Sequence, residues 1–141
     1  MAVIFGEVVE DHRDAVTYRR AADAFRRRDL VAVSETIHDD IRWHFPGKSW
    51  LAREVQGRER WLDYLRELTA RTNNTFVLED VRIAGNDHHL VALQRLGATH
   101  GGQTQKFDVV SIMRFEDGRQ VERWFYLPDL DGFDAFFMKF V

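Results

Sequence analysis

The sequence contains no cysteine, which excludes disulfides, thiolate metal sites and cysteine nucleophiles. It has no apolar run approaching the ~20 residues of a transmembrane helix, and its start lacks the basic and apolar pattern of a signal peptide. Basic residues are not in excess, since 20 Lys and Arg face 23 Asp and Glu, which argues against nucleic acid as a partner. We expect a cytoplasmic protein that binds neither nucleic acid nor membrane.

Metal and nucleotide sites are not indicated either. The adjacent His88 and His89 point to opposite faces of a strand and cannot hold one ion together. No His, Asp or Glu set has the spacing of a metal enzyme, and no glycine-rich loop follows a strand and opens a helix. We therefore predict no metal and no cofactor.

Aromatic residues, by contrast, are abundant: 11 Phe, 4 Trp and 3 Tyr in 141 residues. This length suits a single domain over 1–141, and most of the rings are expected in its core. Such an excess of rings would also suit a pocket for a flat hydrophobic ligand. Composition does not separate the two uses.

Hydrophobic spacing predicts helices and strands in a definite order. Residues 48–57 are predicted as a loop, Asp117 and Gly118 as a hairpin turn, and the final Phe residues have helical spacing. An antiparallel sheet with helices on one face is an α+β domain. If the sheet curves strongly, it forms a cone-shaped barrel around three helices, with one open end for a ligand. The predicted helices cover 14–28, 30–37 and 58–71, and the predicted strands cover 41–45, 76–83, 90–99, 104–115 and 120–126.

Two segments carry motifs of a known family: WHFPGKSWLAREVQGRE from position 43 and FEDGRQVERWFYLPDLDGFDAFF from position 115. They resemble the SnoaL-like branch of the nuclear transport factor 2-like superfamily. The resemblance implies a hydrophobic ligand pocket and a homodimer, which would also cover the outer face of the sheet. Relatives in that family include polyketide cyclases, steroid isomerases, epoxide hydrolases, dehydratases and non-catalytic modules. The fold alone therefore does not fix the activity.

The steroid isomerase pattern is incomplete in this chain. Phe45 stands where those enzymes have a base Asp before the strand-ending proline, and Ser111 stands where they have a protonated acid. Ala21 matches the position of their first-helix tyrosine, with Tyr18 one turn earlier on the same face. The resemblance thus argues against steroid isomerisation, while it implies that Tyr18, Phe45 and Ser111 lie at the pocket.

The pattern of limonene-epoxide-hydrolase-like enzymes is also incomplete. They need an Arg-x-Asp and a second Asp two residues after a Trp, because two carboxylates divide the acid and base work. The matching segment 95–97 keeps Arg95 but not the Asp, and Tyr126 replaces the second acid after Trp124. A buried arginine needs an acidic partner, such as Glu122, or an anionic ligand. We therefore expect Arg95 at the pocket.

The resemblance to polyketide cyclases points to Asp129. Members of that group use an Asp after the last strand as acid or base in aldol closure, and Asp129 matches its position. Near an apolar pocket mouth, desolvation would favour the neutral form of this carboxyl group and bring it into range for proton transfer. An Asp before a helix is also a common N-cap, so both interpretations stay open.

The faces of two strands are left open by the sequence. Alternation puts Trp43 and His44 on opposite faces; the isomerase match turns Phe45 to the pocket, whereas the epoxide hydrolase match turns His44 there. His44 is therefore either a pocket base or donor, or a structural histidine. Trp124 and Tyr126 share a face, as sheet core or as an aromatic wall whose phenol binds a carbonyl.

Two functional hypotheses follow. In the first, the protein is a cofactor-independent enzyme acting on a small hydrophobic carbonyl compound, with Asp129 as general acid or base and His44 as its partner. Tyr126 and Arg95 would polarise or orient the substrate, beside the pocket residues Tyr18, Trp43, Phe45, Ser111 and Trp124. In the second, the domain binds a hydrophobic ligand or dimerises without chemistry. The enzyme hypothesis requires Asp129 and His44 to line one cavity.

Overall fold

Four helices and six strands follow one another in the computed structural model, which describes residues 7–140. The segment considered for a signal peptide lies partly outside these residues. The helices are α1 (Arg13–Arg26), α2 (Leu30–Glu35), α3 (Arg58–Arg71) and α4 (Leu130–Phe137). The strands are β1 (Ile37–Phe45), β2 (Arg53–Gln56), β3 (Val77–Gly85), β4 (Leu90–His100), β5 (Gln103–Glu116) and β6 (Arg119–Tyr126).

The strands form one sheet in the order β2-β1-β6-β5-β4-β3. Neighbouring strands are antiparallel except β1 and β6, which run parallel. The predicted α+β class with a mostly antiparallel sheet is confirmed. The sheet has β2 and β3 as edges and is open, so it does not close into the barrel that we expected. α4 forms at the final Phe residues, as their helical spacing predicts, and adds a fourth helix to the three of the expected cone.

The hairpin turns follow from their residues. Asp117 and Gly118 have φ values of +52° and +73° between β5 and β6, as a two-residue primed turn requires. Gly101 and Gly102 do the same between β4 and β5, with φ values of +59° and +78°. These two turns fix the register of β4, β5 and β6.

The main hydrophobic core lies between the helices and one face of the sheet, which we call the inner face. On β1 and β6 that face carries Trp43, Phe45 and Phe125. The short helix α4 contributes the fully buried Phe133 and Phe137, whose rings stack at 4.3 Å between centroids. None of the helices within residues 7–140 is both long and apolar enough to cross a membrane.

A buried carboxylate joins α4 to the loop after β1. Asp134 is 7% exposed and accepts hydrogen bonds from the backbone N–H groups of Lys48 (2.9 Å) and Ser49 (3.2 Å). Gly47 has a φ of +110°, and a Cβ atom placed there would lie 2.4 Å from Asp134 Oδ1. This close approach fixes the chain direction directly after the Pro46 strand end.

Candidate functional site

A cavity of about 70 Å³ lies between the inner face of the sheet and helices α1 and α3. About 10–15 Å³ holds one water, so the cavity has room for several waters or a small organic group. Its walls are almost entirely apolar and rich in aromatic rings, and none of the described residues that line it is Asp, Glu or His. The rings that line it belong to Tyr18, Phe25, Trp43, Phe45, Trp61 and Phe125, among others.

Four buried polar atoms of the lining residues have no hydrogen-bond partner. They are the indole nitrogens of Trp43 and Trp61, Gln120 Oε1 and Arg123 Nε. The Trp43 N–H approaches the Tyr64 hydroxyl without reaching hydrogen-bonding geometry. Buried polar groups in proteins are ordinarily paired, and these four unpaired atoms belong to residues that line one cavity.

Tyr64 is not one of the unpaired groups. Its hydroxyl donates to the backbone carbonyl of Leu51 at 2.9 Å. Burial raises the pKa of Tyr64 well above its ordinary value, which keeps the phenol neutral. Tyr64 therefore supports the wall of the cavity and has no proton to offer a ligand.

Among the described residues that line this cavity, Arg123 is the one that carries a charge. It is 3% exposed, and its Nη2 atom donates to Gln94 Oε1 at 2.7 Å, to Ser111 Oγ at 3.1 Å and to the Tyr18 hydroxyl at 3.2 Å. Arginine stays protonated in proteins. All three acceptors are neutral, so the hydrogen bonds orient the guanidinium without cancelling its charge.

Aromatic faces surround the same guanidinium. Its central carbon lies 5.1 Å from the ring centroid of Tyr18, 5.2 Å from that of Trp43 and 4.6 Å from that of Phe125. A cation within about 6 Å of a ring centroid is attracted by the ring quadrupole. These rings offset part of the cost of burying the charge.

Gln94 connects Arg123 to α1 and β3. Its Nε2 donates to Asp80 Oδ1 at 2.8 Å and to the Tyr18 hydroxyl oxygen at 2.6 Å, while its Oε1 accepts from Arg123 and Ser111. If the Gln94 amide were flipped, its NH2 group would point at the Arg123 guanidinium and its oxygen at the Asp80 carboxylate. Both contacts would be unfavourable, so the partners determine the orientation of this amide.

The Tyr18 hydroxyl is therefore left with a proton to donate. Its oxygen accepts from Gln94 Nε2 and Arg123 Nη2, both of which are donors only. Within the described part of the chain, the Tyr18 O–H makes no hydrogen bond as a donor, and its ring lines the cavity. The Tyr18 hydroxyl is thus an unused donor on a residue that lines the cavity.

The structure places four of the predicted binding residues at this site. Tyr18, Trp43 and Phe45 line the cavity, and Ser111 is fully buried against Arg123. At β1 the open choice is thus decided, because Trp43 and Phe45 face inward. Their role in binding stays a prediction.

The two predicted catalytic residues do not share the cavity. Asp129 is exposed and is the N-cap of α4, where its Oδ1 accepts from Gly132 N at 3.0 Å. His44 lies on the outer face of the sheet, opposite Trp43. The condition that the enzyme hypothesis set for Asp129 and His44 is therefore not met.

His44 is held in a polar cluster on that outer face. One ring nitrogen contacts Glu54, the other contacts Glu122 Oε2 at 2.8 Å, and the ring stacks on Trp124. Burial alone would raise the pKa of Glu122, but hydrogen bonds from His44 and Arg114 outweigh it and lower that pKa. The cluster joins β1, β2, β5 and β6.

The expected positions of Arg95, Trp124 and Tyr126 are wrong. The Arg95 side chain is 54% exposed and pairs with Asp108 at 3.3 Å, Trp124 is half-buried on the outer face, and Tyr126 is 54% exposed. The alternation was assigned to the wrong face on β4 and β6. The inward residues there are Gln94 and Arg123, which the sequence analysis did not select.

The family comparison agrees with the predicted resemblance. The model of the SnoaL-like domain matches residues 18–123. The chain belongs to the SnoaL-like domain family. This SnoaL-like domain matches no curated protein. In the described part of the chain it has no group of three or more His, Cys, Asp or Glu residues able to hold a metal ion.

Solved structures of the same fold match the SnoaL-like domain over most of its length. Bal32a, from a soil-derived mobile gene cassette, is 26% identical, with 91% of this chain and 98% of that chain covered and a TM-score of 0.84. TerC, co-crystallised with polyporic acid, is 18% identical (90% and 98% covered, TM-score 0.78). An NTF2-like protein of unknown function from Burkholderia pseudomallei is 22% identical (89% and 97% covered, TM-score 0.76). The predicted NTF2-like fold is confirmed.

Proposed function

We propose that this SnoaL-like domain binds a small hydrophobic carbonyl compound in the cavity, with the carbonyl oxygen at the Tyr18 hydroxyl. The observation that carries the proposal is the bonding of the Tyr18 oxygen. Two obligate donors, from Gln94 and Arg123, point at that oxygen, so its own proton is directed to a third group. A carbonyl oxygen is the acceptor that an otherwise apolar ligand would supply.

The walls of the cavity support a hydrophobic ligand body. Trp43, Phe45 and Phe125 form a continuous set of rings, with Trp43 and Phe45 at 4.6 Å and 4.9 Å from Phe125 between centroids. Removing apolar surface from water yields roughly 25 cal/mol per Å², which favours a flat ring or short hydrocarbon body. TerC, of the same fold, was crystallised with polyporic acid, which supports a small organic ligand for this fold.

Catalysis on such a ligand is the second candidate, favoured by the donors and limited by the lack of a base. Tyr18 would give its proton to the developing oxyanion, and Arg123 would stabilise the negative charge. Since none of the described residues that line the cavity is Asp, Glu or His, the substrate would have to supply its own nucleophile, as in the ring closure of a chain that carries an enol. The enol carbon would add to the carbonyl carbon, and the enol O–H proton would be released to restore the Tyr18 hydroxyl. No cofactor is required for that step.

Binding is tested with two ligands of similar size, acetophenone and ethylbenzene, which differ in the carbonyl group. We expect acetophenone to bind about fivefold more tightly, because one neutral buried hydrogen bond contributes about 1 kcal/mol. Tyr18→Phe should abolish that preference. NMR titration or calorimetry measures both affinities.

The matched control is Tyr64→Phe, because Tyr64 also lines the cavity but donates to the Leu51 carbonyl. This variant should keep the preference for acetophenone. Equal binding of the two ligands by the unmodified protein, or no binding of either, would contradict the proposal.

A further inference from the structure

We infer that the ligand carries an anionic oxygen, as the carboxylate or enolate of a hydrophobic acid, and that this oxygen pairs with Arg123. The inference rests on the proposed function, because it assigns a charge to the ligand of the same cavity. It is carried by three observations: the missing counterion of Arg123, its unused donors, and the excess of donors around it.

The first observation is the missing counterion. Among residues 7–140, no carboxylate lies within 4.0 Å of the Arg123 guanidinium, whose hydrogen bonds all go to neutral groups. Asp80 reaches it only through Gln94, and Asp80 Oδ2 is paired with Arg26 at 2.9 Å. A buried charge without a partner is strongly unfavourable, and the ring faces around Arg123 offset only part of that cost.

The carboxylate nearest to Arg123 in sequence is also committed elsewhere. Glu122 follows the alternation of β6 to the outer face, where it contacts His44 at 2.8 Å and Arg114 at 3.0 Å. Asp108, on the neighbouring β5, pairs with Arg95 on that same face. Glu122 and Asp108 therefore pair with cations on the outer face, which leaves Arg123 on the inner face to pair with a ligand.

The second observation is the set of unused donors on Arg123. A guanidinium has five N–H donors, and the two on Nη2 serve three acceptors. Nε is buried without a partner, and Nη1 makes no hydrogen bond within the described residues. Two nitrogens of one planar group therefore lack an acceptor, a need that an anionic oxygen or a bidentate carboxylate would meet.

The third observation is the balance of polar groups around the cavity. Among the described residues that line the cavity, the unpaired donors are the indole N–H groups of Trp43 and Trp61 and Arg123 Nε. The one unpaired acceptor is Gln120 Oε1. The Trp43 ring lies 5.6 Å from that of Trp61 and 5.2 Å from the guanidinium carbon. One positive charge with neighbouring donors favours an acceptor-rich anion over a neutral ligand.

The test compares benzoate with benzamide, which have the same shape, each carry a carbonyl oxygen and differ in charge. At pH 7 the unmodified protein should bind benzoate at least tenfold more tightly than benzamide, by calorimetry or NMR titration. The Arg123 Nε–H resonance should shift on addition of benzoate, which locates the anion at this guanidinium.

Arg123→Met should remove the preference for benzoate, so that the benzoate and benzamide affinities become equal. The variant is expected to fold, because Gln94 Oε1 keeps its bond from Ser111 and the Tyr18 oxygen keeps its bond from Gln94. Arg123→Lys retains the charge but loses the planar fork, so part of the preference should remain. Arg95→Met removes an exposed arginine and should change neither affinity.

The outcomes separate this inference from the proposed function. If benzamide and acetophenone bind but benzoate binds no more tightly, the ligand is neutral and the inference is overturned while the proposed function stands. If benzoate is preferred equally by Arg123→Met and the unmodified protein, the anion binds elsewhere and the inference also fails. If none of these ligands binds, the proposed function fails first.

Discussion

Replacing Asp129 distinguishes its two roles, because a cap and a catalyst respond differently to the same change. Asp129 Oδ1 accepts from Gly132 N at the start of α4, at 3.0 Å. Asp129→Ala removes that acceptor, whereas Asp129→Asn keeps it. The helix that it begins contributes Phe133 and Phe137 to the core, both fully buried. Loosening of α4 should therefore lower the free energy of unfolding of the whole domain.

The expected magnitudes follow from the cap. Loss of an Asp cap costs about 1 kcal/mol, within a range of about 0.5–2 kcal/mol, which in a domain of this size lowers the Tm by roughly 4 °C. Asp129→Asn should stay within about 0.5 kcal/mol of the unmodified protein, because Asn caps nearly as well. Asp131 lies in the first turn, and Asp131→Ala should cost only a few tenths, roughly 0.3 kcal/mol, through the helix dipole.

Urea denaturation followed by tryptophan fluorescence measures these differences, and acetophenone titration of each variant measures the site. We expect unchanged affinity in all three variants, because Asp129 does not line the cavity. Asp129→Ala as stable as the unmodified protein would refute the cap. Loss of ligand binding in a fully stable Asp129→Asn would return this carboxylate to the site.

Two further predictions concern stability. The pKa of Glu122 is lowered in the folded protein from its ordinary value of 4.5. The stabilisation by this carboxylate is therefore complete above pH 4.5 and is lost as the pH falls through the folded pKa. The free energy of unfolding should fall more steeply below pH 4.5 in the unmodified protein than in Glu122→Gln, and equal slopes would contradict this. In urea denaturation, Gly47→Ala should lower the free energy of unfolding more than Gly102→Ala does. Both positions have positive φ, but only at Gly47 would the new Cβ meet Asp134, at 2.4 Å. Equal losses of stability would show that this contact has no effect.

Sequence patterns predicted those elements whose signals are local. The helix over 58–71 has the predicted bounds, and the Asp117–Gly118 turn is a primed hairpin. β2 was predicted as loop because residues 48–57 are polar and irregular in pattern. The strand has four residues, of which Val55 alone is buried. Its strand geometry comes from pairing with β1, a tertiary interaction that four residues of sequence do not encode.

The faces of β4 and β6 could not be predicted for a different reason. Alternation states which residues share a face but not which face is inside. Both faces of β6 carry an aromatic and a charged residue, with Arg123 and Phe125 on one and Glu122 and Trp124 on the other. The inner face of β6 is determined by its parallel pairing with β1, which places Arg123 opposite the inward Trp43.

That same choice of face determines the chemistry of the site. With Glu122 outside, the carboxylate that contacts the buried polar network is Asp80, through Gln94, and it is already paired with Arg26. The inward side chains of β4 and β6, Gln94 and Arg123, instead direct donors at the Tyr18 oxygen. In the proposed function, these donors would bind and polarise a ligand oxygen. Because none of the described lining residues is a base, any bond making there would depend on a nucleophile that the ligand brings with it.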